Sequence, residues 1–176
     1  MDIKGLLKDR IVQFLIFVVV LNIICFVLIW RLNIFVHGDL YEYGLIFSCD
    51  WADDFYFNNI NLWVFLEGAT ALILFSIIPH RQHSTHPSKF TKWTGFLLPS
   101  IAIIYQALSI MFLSQTNNIV YNQLYDFGLN PNYNWATTYN PISSTAIALI
   151  LVGIIALIIP AIRTLQIIEF DIVQEE

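Results

Sequence analysis

Apolar residues gather in four long runs, roughly 11–30, 62–79, 94–114 and 142–162. Each is close to the length a helix needs to cross a hydrocarbon core, about 20 residues. None contains Lys, Arg or Asp, and a single acidic residue, Glu67, interrupts them. The runs are apolar around their whole circumference, which implies lipid or protein on every side. This pattern predicts an all-α membrane protein with four transmembrane helices. Asn140 and Pro141 supply a cap and a first-turn proline for the fourth span. Pro79 and Pro160 are expected to stop spans two and four, and Pro99 to kink span three. Beyond Arg163, the spacing of Leu165, Ile168 and Ile172 predicts an amphipathic extension of the last helix.

The pattern is written twice. Leu40, Tyr41, Glu42, Tyr43, Gly44 and Leu45, with Trp51 further on, match Leu124, Tyr125, Asp126, Phe127, Gly128 and Leu129, with Trp135, at an offset of 84. The same offset pairs Asn22 with Gln106 and Asn33 with Asn117. In the second halves an offset of 81 brings Asn59 onto Asn140 and Ile77-Ile78-Pro79 onto Ile158-Ile159-Pro160, which suggests that copy two has lost three residues after Ala136. The reading is one membrane domain, 1–176, built from internal repeats 8–91 and 92–170, each a helical hairpin. Both copies begin on the same side, so their topology is parallel, with a pseudo-two-fold axis along the membrane normal.

Within each hairpin the two spans are joined by an aromatic outer loop, 31–61 in the first and 115–141 in the second. Ile34-Phe35-Val36 and Ile119-Val120-Tyr121, each followed by turn residues, predict a β-hairpin in each loop, ended by Gly44 and Gly128. Together they would form a small extracytoplasmic cap, with interfacial helices as the other reading of the same residues. The tyrosines and tryptophans of these loops read first as an interfacial aromatic belt and second as a ligand platform.

Composition supports the membrane reading. The chain is 57% hydrophobic and 12% charged with mean hydropathy +0.67, against about 25% charged in soluble domains. Of the 8 basic residues, only Arg31 lies on the outer side, so both termini and the loop between spans two and three are expected in the cytoplasm. The first run is longer than the apolar core of a secretory signal and no cleavage motif follows it, so it reads as a retained helix. The net charge of −5 and the lack of a basic stripe argue against nucleic acid. Cys25 and Cys49 read as free thiols, one mid-membrane and one in the outer loop.

Few residues suggest chemistry. Glu67, an ionisable group inside a span, is a candidate ion, proton or partner site. It stands about one and a half turns below the outer end of its span as read from the sequence, within reach of interfacial donors, and the 81-residue offset sets Ala148 opposite it. Asn22 and Gln106, related by the repeat, are candidates for polar helix–helix contacts near the pseudo-axis. His80, His83 and His86, spaced by three, are the only cluster with metal-like geometry. A proline-bracketed polar loop, with pH sensitivity at most, is the plainer reading. Asp39, Asp50, Asp53 and Asp54 make the first outer loop acidic, but in no calcium-loop spacing. No span carries a histidine for haem, and there is no C-x-x-C, H-E-x-x-H or glycine-rich phosphate loop.

The sequence therefore favours a non-catalytic accessory or assembly subunit of a larger integral membrane complex, its partners being other membrane subunits and the bilayer. A small homo-oligomeric transporter or channel using Glu67 is the second reading. A metal-dependent membrane enzyme subunit is the third. No cofactor is expected, a metal or lipid being the only candidates.

Overall fold

A computed structural model describes residues 10–42, 51–82, 89–126 and 138–175. They form four helices, α1 (Arg10–Glu42), α2 (Trp51–Gln82), α3 (Lys89–Asp126) and α4 (Asn140–Glu175). Each contains a stretch long and apolar enough to cross a membrane: Arg10–Val36, Asp54–Ile78, Trp93–Asn122 and Asn140–Gln166. A helix closes all of its backbone hydrogen bonds within one segment, which apolar surroundings demand. The helices therefore run through their many β-branched residues, whose intrinsic helix preference is weak.

The helices run up, down, up, down. Asn33, late in α1, bonds Asn59, early in α2, and Asn117, late in α3, bonds Ser143, early in α4. Each helix packs against two neighbours, α1 closing the ring onto α4, so α1 and α3 face each other across the bundle. The buried side of α1, Val12, Leu15, Val18, Asn22, Cys25, Ile29, Leu32 and Val36, advances by three or four residues at each step, the spacing of one helical face. The interior divides into two apolar clusters. One holds Cys25, Ile29, Leu62, Leu66, Leu113 and Ile150 toward the end of the bundle where α1 passes to α2 and α3 to α4. The other holds Leu15, Val18, Ile73, Ala102 and Leu157 toward the opposite end.

Several expectations are corrected. Among the described residues there is no strand, and the segments expected as β-hairpins are helical: α1 continues through Ile34, Phe35 and Val36 to Glu42, and α3 through Ile119, Val120 and Tyr121 to Asp126. The reason is burial. Leu32 and Val36 are both buried, as are Thr116 and Val120, and a spacing of four seats both members of a pair on one helix face. The outer connections are accordingly much shorter than 31–61 and 115–141. Gly44 and Gly128 lie outside the described residues. Neither inner proline stops its helix, since α2 passes Pro79 to Gln82 and α4 passes Pro160 to Glu175.

Burial also fixes the correspondence between halves. Val18 matches Ala102, Asn22 matches Gln106 and Ile29 matches Leu113, all buried, at an offset of 84. The same offset holds in the second helices, where Phe55, Leu62, Leu66 and Ile73 match Tyr139, Ala146, Ile150 and Leu157, again all buried. The pairs Asn33–Asn59 and Asn117–Ser143 have the same separation of 26. The 81-residue offset would instead set Phe75, 61% exposed, onto Ala156, 7% exposed. A three-residue slip rotates a helix face by about 60°, so the repeated Ile-Ile-Pro strings are similar in letters and different in position.

The two halves are not packed alike. The α2–α3 seam is the most extensive and the α1–α2 seam the least. Gly68 explains part of this: a Cβ added there would stand 2.7 Å from the ring of Tyr105, so α2 and α3 approach over a residue without a side chain. Phe65 extends the seam, edge-on to Tyr105 at 5.3 Å and stacked on Phe112 at 5.5 Å. Between α1 and α2 the stacked rings of Phe26 and Trp63, 5.3 Å apart, fill the wider space. Gly68→Val is expected to lower the unfolding temperature of the purified protein by several degrees, in line with an overpacking cost of about 1–3 kcal/mol. Adding Tyr105→Ala should recover part of the loss, because the small residue reopens the space.

Candidate functional site

The two apolar clusters are separated by a layer of amide and hydroxyl groups at the centre of all four spans. Gln106 Nε2 on α3 donates to Asn22 Oδ1 on α1 across the bundle at 2.9 Å. Asn22 Nδ2 donates to Thr70 Oγ1 on α2 at 3.0 Å. The Thr70 hydroxyl donates to the Leu66 carbonyl at 2.8 Å. That last bond sets the direction of the chain. Having used its proton on Leu66, Thr70 accepts from Asn22, Asn22 presents its carbonyl to Gln106, and Gln106 Oε1 is left without a partner. On α4, Gly153 makes room: a Cβ there would lie 3.2 Å from Gln106 Nε2 and 3.3 Å from Val18.

A second polar tier lies toward the end where α1 passes to α2 and α3 to α4. Asn33 and Asn59 exchange two amide bonds of 3.2 and 3.0 Å between α1 and α2. At the corresponding place between α3 and α4, Asn117 donates to Ser143 at 2.6 Å and accepts from the Tyr139 hydroxyl at 2.7 Å. Burial raises the Tyr139 hydroxyl above the ordinary tyrosine range, so it acts as a neutral donor. Both tiers hold helices together with neutral groups, and neither offers a nucleophile next to a base.

Glu67 belongs to neither tier. It points away from the bundle, on a face with Ile60, Val64, Leu74 and Phe75, and among the described residues its side chain makes no hydrogen bond or ion pair. α2 begins at Trp51, and Thr70, three residues beyond Glu67, joins the layer of Asn22 and Gln106, which sets Glu67 within about 5 Å of that layer along the helix. At the 84-residue correspondence its counterpart is Leu151, not Ala148, so the second copy has no acid there.

The other candidate positions are not brought together with these. His80 lies in the last turn of α2, and His83 and His86 fall outside the described residues. Among the described residues no three His, Cys, Asp or Glu side chains stand close enough to hold a metal. Of the repeated loop motif, Leu40 and Tyr41 end α1, Trp51 opens α2, and Leu124 and Tyr125 end α3, whereas Tyr43, Phe127 and Trp135 lie outside the described residues. Cys25 is a free thiol whose Sγ lies 3.7 Å from the Ala146 carbonyl, and Cys49 is outside the described residues. Thr70, Gly153, Ser143 and Tyr139 were not singled out from the sequence, because small and hydroxyl residues inside apolar runs carry no periodic signal of their own.

No protein-family model, no curated protein and no solved structure matches the chain.

Asn22→Leu leaves the Gln106 amide without its acceptor, and Gln106→Leu leaves the Asn22 carbonyl without its donor. Each is expected to destabilise the bundle by about 1–3 kcal/mol. The double variant should cost less than the two together, by about 0.6–2 kcal/mol. Equilibrium unfolding of the four proteins in mixed detergent measures that difference, and strict additivity would remove the bond from the energetics.

Proposed function

We propose that the chain is a non-catalytic accessory or assembly subunit of a larger integral membrane complex, with both termini in the cytoplasm and the aromatic connections outside. The observation that carries this reading is the outward position of Glu67 at the middle of α2. Exposed to hydrocarbon, a charged side chain at that depth costs about 2.5–3.5 kcal/mol or more. Protonated or not, its oxygens would face lipid with no donor. A neighbouring subunit on that face removes the cost. The interior supports the same reading: apart from Gln106 Oε1, the amides and hydroxyls of its two tiers are held in bonds between helices or to the backbone, which suits a rigid scaffold.

A homo-oligomeric transporter is the second reading, favoured by the same mid-span carboxyl. It requires the path to run between copies, because Glu67 lies on the outside of the single chain. The two are separated by tagging the chain in its native host, solubilising gently, and reading native gels with mass spectrometry. Stoichiometric co-migration with other membrane proteins is expected. Migration as a small homo-oligomer would favour transport, and Glu67→Gln in proteoliposomes would then be expected to abolish flux.

A further inference from the structure

We propose that the outward face of α2 is the docking surface for a transmembrane helix of another subunit, and that this helix carries a lysine or arginine which pairs with Glu67 at mid-membrane. The inference rests on the accessory-subunit reading and gives the partner a chemistry.

Shape is the first argument. Along this face large side chains stand on either side of Glu67 and Ala71. Phe57, Ile60 and Val64 lie toward one end, Leu74, Phe75 and Ile78 toward the other, all at least half exposed. Between them stand Glu67 and, one turn on, the small Ala71, both exposed. Ala71 lets a crossing helix come close beside the acid, as small residues let backbones approach.

Charge decides the occupant. A second copy of this chain brings no cation to that level. Its basic residues in described helices are Arg10, Arg31, Arg81, Lys89, Lys92 and Arg163, all outside the four apolar runs. Arg31 is the closest in depth to the amide layer of α1, and Arg163 the closest to Gly153 of α4. Glu67's own level, set by the pairs Asn22–Thr70 and Asn33–Asn59, falls opposite Cys25 of α1, so Arg31 stands about 9 Å away along its helix and Arg163 at least about 15 Å. At the middle level the outward residues of the other helices are hydrocarbon, such as Ile23 and Ile24 on α1, Ile104 on α3, and Leu151 and Ile155 on α4. A copy docked there would bury the carboxyl against apolar side chains, the least favourable arrangement for an acid. A partner helix with a cation supplies both the charge and the hydrogen bonds.

The test uses the full chain in its native membrane. A photoreactive benzoyl-phenylalanine replaces Ala71, with Ile155 on α4 as a control position, and adducts are mapped by peptide mass spectrometry. From Ala71 the expected adduct falls on a span of a different protein, within one turn of a lysine or arginine. Glu67→Leu should cut its yield at least tenfold while leaving the unfolding temperature of the isolated chain unchanged. Glu67→Lys combined with an acid at the partner's basic position should restore it. An adduct on a second copy, on lipid alone, or on a helix without a nearby cation would overturn the proposal, as would an undiminished yield from Glu67→Leu. Failure here with the complex still intact on native gels leaves the accessory reading standing. A chain that migrates alone ends both.

Discussion

The bond from Gln106 to Asn22 crosses the bundle from α3 to α1, and the placement of all four helices answers to it. An amide brought into an apolar interior must find a partner or forfeit its hydration. Asn22 reaches Gln106 on one side and Thr70 on the other, which ties α1, α2 and α3 at one level. α4 comes against the same layer with Gly153, because a larger residue would press on the Gln106 amide. Sliding any helix by one turn would pull these groups out of register. The apolar clusters above and below could repack after such a slide more readily than the amides could.

The two-fold pattern makes the departures from it informative. Asn22 and Gln106 occupy equivalent positions, yet Thr70 has Ile154 as its counterpart, so the polar chain runs toward α2 and not α4. Gly68 draws α2 toward α3, while its counterpart Val152 is exposed on α4. Glu67 has only Leu151 opposite. All three asymmetries fall on α2. A duplicated scaffold in which one helix has become distinct on both its inner and outer faces fits a chain whose second helix meets a partner.

Much of this was legible in the residues, and the places where it was not have physical causes. Four helices follow from four runs of apolar residues without periodic charge. The equivalence of Asn22 with Gln106 follows from the loop motifs that share its offset. The hairpin reading of Ile34-Phe35-Val36 failed because β-branched and aromatic residues suit a strand in water but continue a helix where the backbone must satisfy itself. The register of α2 on α4 was misread because strings of isoleucine are degenerate, whereas burial tells one face of a helix from another. The extent of α2 was misread for a related reason: Asn58, Asn59 and Asn61 look like loop residues, yet they lie within α2, where Asn59 bonds Asn33 and Asn61 bonds the Phe57 carbonyl.

The sequence by itself determined the number of spans, the doubled pattern and the identity of the rare polar groups within it, because hydrophobicity and repetition are properties of the chain read in order. Only the tertiary structure decided which of those groups meet and which stand apart. The pairing of Asn22 with Gln106 depends on two helices facing each other across a bundle. The outward position of Glu67 depends on how α2 is rotated. That rotation is set by Gly68 against Tyr105 and by Thr70 against Asn22, contacts between distant segments that a one-dimensional pattern does not contain.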